Sequence, residues 1–203
     1  MKELTDAQNE YFKDSKIRSK NGELKVLYHG SKNKDFDTFG EINTPPGYWF
    51  SEDKDYALSH ASNENNLIEV YLNAENPFYF DGIDGSEESF EEWQDKLTDL
   101  YNECFGSRIW DEKNIFSIDF RDFLMDKGYD AMIWAHDDAD TIVVFKPDQI
   151  KSIDNLYPTK NDNFKDNSKE YFELHSPSLD EKLQAADKKV DRSKSNNTKD
   201  LER

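Results

Sequence analysis

Four residues early in the chain, Tyr28-His29-Gly30-Ser31, combine a hydrogen-bonding ring with a glycine. An imidazole can hydrogen-bond a ribose hydroxyl. Because Gly30 has no Cβ, the backbone N–H and C=O beside it can approach a flat ligand closely. The run therefore predicts either a ligand-binding turn at the end of a strand or a histidine in an ordinary surface turn.

A second run, Gly47-Tyr48-Trp49-Phe50-Ser51, places three aromatic rings in succession. Successive side chains on a strand point to opposite faces of a sheet, so these rings cannot all share one core. We expect Phe50 to pack in the core. We expect Tyr48 or Trp49 to offer a stacking surface for a flat heterocycle.

Carboxylates cluster ahead of a late apolar run, at Asp137, Asp138 and Asp140, with Thr141 following. Carboxylates at the entrance of a strand can stabilise positive charge that develops during a reaction. They can equally form a solvated loop or hold a hard cation, which prefers oxygen ligands. The spacing is not that of a calcium-binding helix-loop-helix motif, and the single cysteine, Cys104, excludes a cysteine metal site within the chain.

Helix and strand signals alternate along residues 1–157 and would position these side chains. Thr5, Asp53 and Ser86 each precede a helical pattern as capping residues, and a further helix over 118–127 ends at Gly128. The predicted strands cover 24–28, 48–50, 67–72, 131–134, 142–145 and 149–153. This mixed order predicts an α+β fold around a split or sandwiched β-sheet with flanking helices.

The chain is strongly acidic, with 44 Asp and Glu against 26 Lys and Arg and a net charge of −18. Non-specific affinity for nucleic acid comes from Lys and Arg, so this charge argues against binding free nucleic acid. No run of 18 apolar residues is present, and no apolar run follows the N-terminus. We therefore expect no membrane span and no secretory signal, and a cytoplasmic protein.

Composition changes near Tyr157. Residues 158–203 carry equal numbers of acidic and basic side chains, so the whole negative excess lies in residues 1–157. The tail is rich in Lys, Asn, Asp and Ser and is too poor in apolar residues to offset the entropy of ordering it. We expect a domain over 1–157 and a disordered or partly helical tail over 158–203, with one possible helix at 178–192.

Six motifs occur in a fixed order along residues 3–157. They are Tyr28-His29-Gly30-Ser31, Asp35-Phe36-Asp37-Thr38-Phe39, Gly47-Tyr48-Trp49-Phe50-Ser51, Val70-Tyr71-Leu72-Asn73, Gly128-Tyr129-Asp130, and the run from Val143 to Ser152. Together they resemble the ADP-ribosyltransferase domains of polyvalent proteins from phages and mobile elements. Those domains are distant relatives of diphtheria toxin and the poly(ADP-ribose) polymerases.

The resemblance implies a split-sheet fold with NAD⁺ in the cleft between two sheets, and no metal or other cofactor. The family's histidine falls on His29, which would bind the nicotinamide ribose, while Gly30 would hold the carboxamide through its backbone. The two stacking tyrosines fall on Trp49 and His60. The residues expected to bind NAD⁺ are His29, Gly30, Ser31, Tyr48, Trp49, Ser51 and His60.

The family's glutamate falls on Thr141, with Asp140 just before it. That glutamate stabilises an oxocarbenium-like transition state, as carboxylates do in glycosidases. Thr141 offers a hydrogen bond but no negative charge. Asp140 could substitute only through a bulge or loop, because neighbouring residues on a strand face opposite ways. The catalytic candidates are therefore His29, Trp49, Asp140 and Thr141.

Two functions follow from the resemblance. The first is a phage-encoded mono-ADP-ribosyltransferase that moves ADP-ribose from NAD⁺ onto a macromolecular host factor, with a basic protein favoured by charge over free nucleic acid. The alternative is a catalytically impaired relative, an acidic interaction module that inhibits a basic or nucleic-acid-binding host protein. Solubility alone also accounts for an acidic surface. A hydrolase that uses His29 with Asp140 is disfavoured because no nucleophile stands at a recognisable spacing and Gly-x-Ser-x-Gly is absent.

Overall fold

The computed structural model of the chain describes residues 3–33, 39–40, 45–80, 90–106, 111–134, 139–160 and 164–165. The chain divides into two units, Met1–Asn167 and Ser168–Arg203, and all of the described residues belong to the first. The helix predicted over 178–192 lies outside the described residues.

The described elements form an α+β protein, which confirms the predicted fold class. The helices are α1 (Asp6–Tyr11), α2 (Lys54–Ser59), α3 (Phe90–Phe105), α4 (Glu112–Ile115) and α5 (Ile118–Asp126). The strands are β1 (Leu27–Gly30), β2 (Tyr48–Ser51), β3 (Leu67–Leu72), β4 (Pro77–Tyr79), β5 (Ala131–Trp134), β6 (Thr141–Val144) and β7 (Ile150–Ser152).

The strands form one seven-stranded sheet in the order β4-β5-β6-β2-β1-β3-β7. All neighbours are antiparallel except β4 and β5, which are parallel. Most neighbouring strands pair over three or four residues, whereas β1 and β2 pair only at Tyr28 and Ser51. The sheet is therefore weakly joined between β1 and β2, in the middle of its strand order.

The predicted capping residues begin their helices. The Thr5 hydroxyl accepts from the Gln8 N–H while the Gln8 side chain accepts from the Thr5 N–H, a reciprocal capping box for α1. The Asp53 carboxylate accepts two N–H groups at the start of α2. After α5, Gly128 has a φ of 90°, a left-handed conformation that favours glycine. Ser86 lies outside the described residues.

Two strand predictions need correction. The alternation over 24–28 predicts a strand there, but β1 begins at Leu27, because Leu24 and Lys25 pair with the preceding segment at Arg18 and Ile17. His29 and Gly30 consequently lie inside the strand and not in a surface turn. The sequence also missed β4, whose first residue is Pro77; a proline is tolerated at the start of an edge strand.

The sheet separates two apolar clusters. One contains Leu27, Phe50, Ile142 and Val144 on the face of the sheet that also carries His29. The other contains Met132, Val143 and buried residues of α3 and α5. Strand alternation produces this division, since neighbouring residues such as Ile142 and Val143 contribute to different clusters.

The packed structure continues past Tyr157. Phe164 is 5% exposed, its ring lies 5.0 Å from that of Phe39, and its carbonyl accepts the Ser152 N–H at 2.6 Å. Phe164 therefore belongs to the core cluster on the His29 side of the sheet.

Candidate active site

A fork between β1 and β2 lies at the centre of the site. Beyond the Tyr28–Ser51 pair, an antiparallel register would match Gly30 with Trp49, but these two residues do not pair. Instead, the Trp49 carbonyl oxygen accepts a hydrogen bond from the His29 ring nitrogen Nδ1 at 2.8 Å. The imidazole thus bridges the two strands at the point where the backbone ladder stops.

The strand register decides which side chains share a face. Ser51 pairs with Thr141, and Thr141 also pairs with Trp134 on β5. Paired residues lie on the same face, as do residues two apart on one strand. Trp49, Ser51, Thr141 and Trp134 therefore share one face, which we call the Trp49 face. His29 lies on the opposite face, which we call the His29 face.

His29 is half-buried among aromatic rings on its own face. Its ring lies 5.3 Å from that of Phe39 and 5.5 Å from that of Phe50, measured between centroids. Burial lowers the pKa of His29, and His60 lowers it further, while the hydrogen bond to the Trp49 carbonyl acts in the opposite direction. A neutral imidazole donates through Nδ1 here, since the carbonyl can only accept.

Only glycine fits at position 30, because the backbone of α2 packs directly against it. A Cβ added at Gly30 would lie 2.0 Å from the Ala57 carbonyl oxygen and 2.9 Å from the Ala61 nitrogen. The end of α2 therefore lies directly on Gly30, on the side of the sheet that carries the Trp49 face. The neighbouring N–H of Ser31 donates to the Asn66 carbonyl at 3.0 Å on the β3 side. Because peptide groups alternate along a strand, those of Gly30 point toward the fork.

Trp49 lies within a set of nearly parallel rings. Its ring centroid is 5.6 Å from that of Trp134 at an interplanar angle of 12°, and 5.9 Å from that of Phe116 at 28°. Its indole Nε1 is buried and has no hydrogen-bond partner among the described residues. Trp49 therefore packs against two protein rings, and its stacking on a ligand stays a prediction.

The residue at the glutamate position carries no charge, and its neighbour is engaged elsewhere. Thr141 is half-buried on the Trp49 face, diagonal to Trp49 across β2 and β6. Asp140 precedes it, and its carboxylate lies 2.7 Å from Lys25 Nζ. The same ammonium lies 2.5 Å from the Glu52 carboxylate. Strand alternation directs Asp140 and Glu52 to the His29 face, away from Trp49.

Burial alone would lower the pKa of Lys25, but its hydrogen bonds to Asp140 and Glu52 outweigh burial and raise it. Lys25 is therefore a fixed cation between two carboxylates. The Glu52 N–H also donates to the Asp140 carbonyl at 3.0 Å, which holds the two acidic residues side by side. This three-residue cluster was missed by the sequence analysis, because Lys25 and Asp140 are 115 positions apart and nothing local connects them.

The hydroxyl groups predicted to bind a ligand take part in contacts within the protein. Ser31 and Ser51 are both buried, and each accepts a backbone N–H two residues further along, from Asn33 and Asp53. The Tyr48 hydroxyl donates to the Gly40 carbonyl, and burial raises the pKa of Tyr48. These side chains shape the ends of β1 and β2.

His60 caps the C-terminal end of α2 and is exposed. Its ring lies 5.0 Å from the exposed ring of Tyr56 in an edge-to-face arrangement. The next residue, Ala61, has its backbone nitrogen 2.9 Å from where a Cβ at Gly30 would lie, so His60 is close to the end of β1. The structure therefore groups Gly30, α2 and His60 at one side of the fork.

The described residues include neither a helix suited to cross a membrane nor a cluster of side chains suited to hold a metal ion. None of the helices in the described ranges is long and apolar enough to cross a membrane. Across the same part of the chain, no group of three or more His, Cys, Asp or Glu side chains is arranged to hold a metal ion. Asp137 and Asp138 of the predicted carboxylate cluster lie outside the described residues.

Comparison with known protein families identifies the family of this chain. Residues 19–160 match the family described as ADP-ribosyltransferase in polyvalent proteins. The match covers more than half of the chain, and the chain therefore belongs to this family, as its motifs had indicated.

Other comparisons add little. No curated protein matches the chain in sequence. A solved structure described as "Crystal structure of an anti-CRISPR protein" is similar over 61% of this chain and 94% of that chain, with 16% sequence identity and a TM-score of 0.36. A similarity this weak defines neither the fold nor the function.

Proposed function

We propose that this chain is a mono-ADP-ribosyltransferase that transfers ADP-ribose from NAD⁺ to a macromolecular target, encoded by a phage or mobile element and acting on a factor in the host cytoplasm. Family membership supports the reaction class. The proposal rests on the fork between β1 and β2. There His29 donates a hydrogen bond to the Trp49 carbonyl, and the Gly30 peptide groups face the unpaired stretch between the two strands.

In the proposed reaction, the bond between the nicotinamide nitrogen and ribose C1 breaks, and neutral nicotinamide leaves with the bonding electrons. A nucleophile of the target bonds to the same carbon and loses a proton. His29 would hydrogen-bond ribose, the Gly30 backbone would hold the carboxamide, and Trp49 would stack on the nicotinamide ring. His60, at the end of α2, would contact the ring from the other side.

The missing carboxylate limits the rate in this proposal. Thr141 can donate or accept one hydrogen bond at the position where the family has a glutamate, but it does not neutralise an oxocarbenium ion. Asp140 does not take over in the observed arrangement, because its carboxylate is paired with Lys25. We therefore expect slow turnover, with Thr141 as the weakest part of the catalytic set.

The charge of the chain supports a protein target over nucleic acid. An acidic enzyme attracts a basic partner and repels phosphate backbones. Charge acts on the association of the two molecules and does not determine which atom of the target accepts ADP-ribose.

The test is transfer of label from adenine-labelled NAD⁺ to macromolecules in a bacterial lysate. We expect labelled protein with the native chain, none with His29→Ala, and native labelling with Lys13→Ala, which changes only an exposed pair with Glu10. Thr141→Glu restores a carboxylate on the Trp49 face and should increase nicotinamide release on the order of 10- to 100-fold. Labelling that is unchanged in His29→Ala would reject the proposed site.

A second function, a non-catalytic interaction module, is favoured by one specific observation, the pairing of Asp140 with Lys25 beside an uncharged Thr141. Such a module would bind a basic or nucleic-acid-binding host protein through its acidic surface. It predicts NAD⁺ binding without nicotinamide release, and a partner that co-purifies equally well with His29→Ala. Nicotinamide release by the native chain, lost in His29→Ala, would exclude it.

A further inference from the structure

Phe39 packs against His29 on the His29 face of the sheet. Its ring centroid lies within 5.0 to 5.6 Å of the centroids of four other rings, those of His29, Tyr48, Phe50 and Phe164. Of these four, Phe164 lies outside residues 19–160, the range that matches the family. We propose that Phe164, through Phe39, fixes the orientation of the His29 imidazole and is therefore a positioning residue of the candidate active site.

The ring of Phe39 is held by side-chain packing. Phe39 lies in neither a helix nor a strand, yet it is only 7% exposed. Tyr48 and Phe50 support its ring from β2, and the Tyr48 hydroxyl also donates to the carbonyl of Gly40, the residue after Phe39. Phe164 adds a contact from a different element, at 5.0 Å and an interplanar angle of 74°. The place of the Phe39 ring therefore depends on the side chains around it.

Phe164 is anchored to the other half of the sheet. Its carbonyl accepts the N–H of Ser152, the last residue of β7. In the strand order, β7 lies on the β1 side of the fork, whereas Tyr48 and Phe50 lie on β2 at the other side. Phe39 is thus supported from both sides of the fork that the imidazole bridges.

The orientation of the imidazole decides which of its nitrogens can bind a ligand. The Trp49 carbonyl can only accept, so a neutral His29 ring carries its proton on Nδ1. Nε2 then has no proton and can act only as an acceptor, which suits the hydroxyl donor of a ribose. Phe39 and Phe50 pack against the imidazole at 68° and 48° and restrict its rotation. A rotated ring would lose the bond to Trp49 that selects this tautomer.

This inference rests on the proposed function and adds to it a residue from beyond the family match. In the proposed reaction His29 binds ribose, so an imidazole that is free to turn would hold NAD⁺ less well in the reactive geometry. A displacement of about 1 Å in such a geometry can slow an enzyme about 100-fold. Phe164 would therefore affect the reaction without touching the substrate.

The test is nitrogen magnetic resonance of the full chain with ¹⁵N-labelled histidine, at about pH 8, where an imidazole is neutral. The nitrogen shifts report which ring nitrogen carries the proton, and His29→Gln identifies the His29 signals among the four histidines. We expect native His29 to be protonated mainly on Nδ1. Phe164→Ala should lower that population about 2- to 10-fold, the value of one hydrogen bond. Phe164→Met should keep more of it than Phe164→Ala, because a long apolar side chain fills part of the space.

Phe12→Ala is the matched control. Phe12 is fully buried, but its ring contacts Tyr11 and Tyr71 in a different apolar cluster. Its removal should lower the free energy of unfolding as Phe164→Ala does and leave the His29 tautomer unchanged. If either alanine variant does not fold, the valine variant at the same position takes its place, since valine also removes the ring but keeps more apolar packing.

Three results would overturn the inference: a native tautomer in folded Phe164→Ala or Phe164→Val, an equal change in the Phe12 variant, or native His29 protonated mainly on Nε2. Nicotinamide release from NAD⁺ by the same proteins separates the inference from the proposed function. We expect release to fall about 10- to 100-fold in Phe164→Ala and to stay near native in Phe12→Ala. The tautomer change without release by the native chain rejects the enzyme only. Release by the native chain with an unchanged tautomer in Phe164→Ala rejects the inference only.

Discussion

Lys25 holds two carboxylates that would otherwise repel each other. In Lys25→Met, Asp140 and Glu52 remain side by side without a cation, and all three side chains are about one-quarter exposed in the native protein. Removing one partner from a partly buried charged cluster is costly because the remaining charges stay desolvated. We expect the free energy of unfolding, measured with urea near pH 7, to fall by about 1–3 kcal/mol.

Lys54→Met is the matched control, because it removes the cation from a more exposed pair with Glu69. Exposed pairs contribute little, so we expect a change of at most about 0.5 kcal/mol. Equal losses in the two variants would show that the Lys25 cluster contributes no more than an ordinary surface pair.

His29 should make stability depend on pH. Its pKa is lowered in the folded protein by burial, so the unfolded chain binds a proton first as pH falls through about 6.5. Stability from this group is therefore complete above that pH and is lost below it. We expect the native chain to lose more free energy of unfolding than His29→Gln between about pH 8 and pH 5. Parallel pH profiles for the two proteins would contradict this assignment.

At the level of elements, the contact between β1 and α2 depends on one missing Cβ. Gly30→Ala would push a methyl group to within 2.0 Å of the Ala57 carbonyl oxygen, which is backbone and cannot rotate away. Overpacking of this kind typically costs about 1–3 kcal/mol. We expect a loss at the upper end of that range in urea unfolding and, under the proposed function, weaker NAD⁺ binding, because His60 directly follows α2.

Gly40→Ala is the control for the same chemical change. A Cβ at Gly40 has nothing within 4 Å, and its φ is not in the left-handed region. The expected change in stability is close to zero. A similar loss in both variants would mean that the effect at Gly30 comes from backbone entropy and not from the contact with α2.

Local sequence signals predicted the elements better than their assembly. The strands over 67–72 and 131–134 and the cap at Asp53 match the structure, because alternation and capping act within a few residues. The fork between β1 and β2 and the opposite faces of His29 and Trp49 follow from strand register, which only the assembled sheet defines. The same holds for the contact of Trp134 with Trp49, since nothing near either residue in sequence indicates the other.

At the scale of the whole molecule, the acidic part of the chain ends before the packed part does. The negative excess lies in residues 1–157, with 34 acidic and 16 basic side chains. Like charges at this density raise the energy of the compact state, so the core must offset their repulsion. The packed structure nevertheless extends further along the chain than the charge does, to the buried ring of Phe164.

The extent of the folded unit can be tested by shortening the chain. A chain ending at residue 157 lacks Phe164, which packs on Phe39 and accepts the Ser152 N–H, whereas a chain ending at residue 167 keeps both contacts. Removing a buried phenylalanine typically costs about 3–5 kcal/mol. We expect the shorter chain to be less stable by about that amount in urea unfolding, and Phe164→Ala in the full chain to lose most of the same free energy. Equal stability of the two shortened chains would support the boundary near residue 157 that composition indicates, because Phe164 would then contribute nothing that the first 157 residues lack.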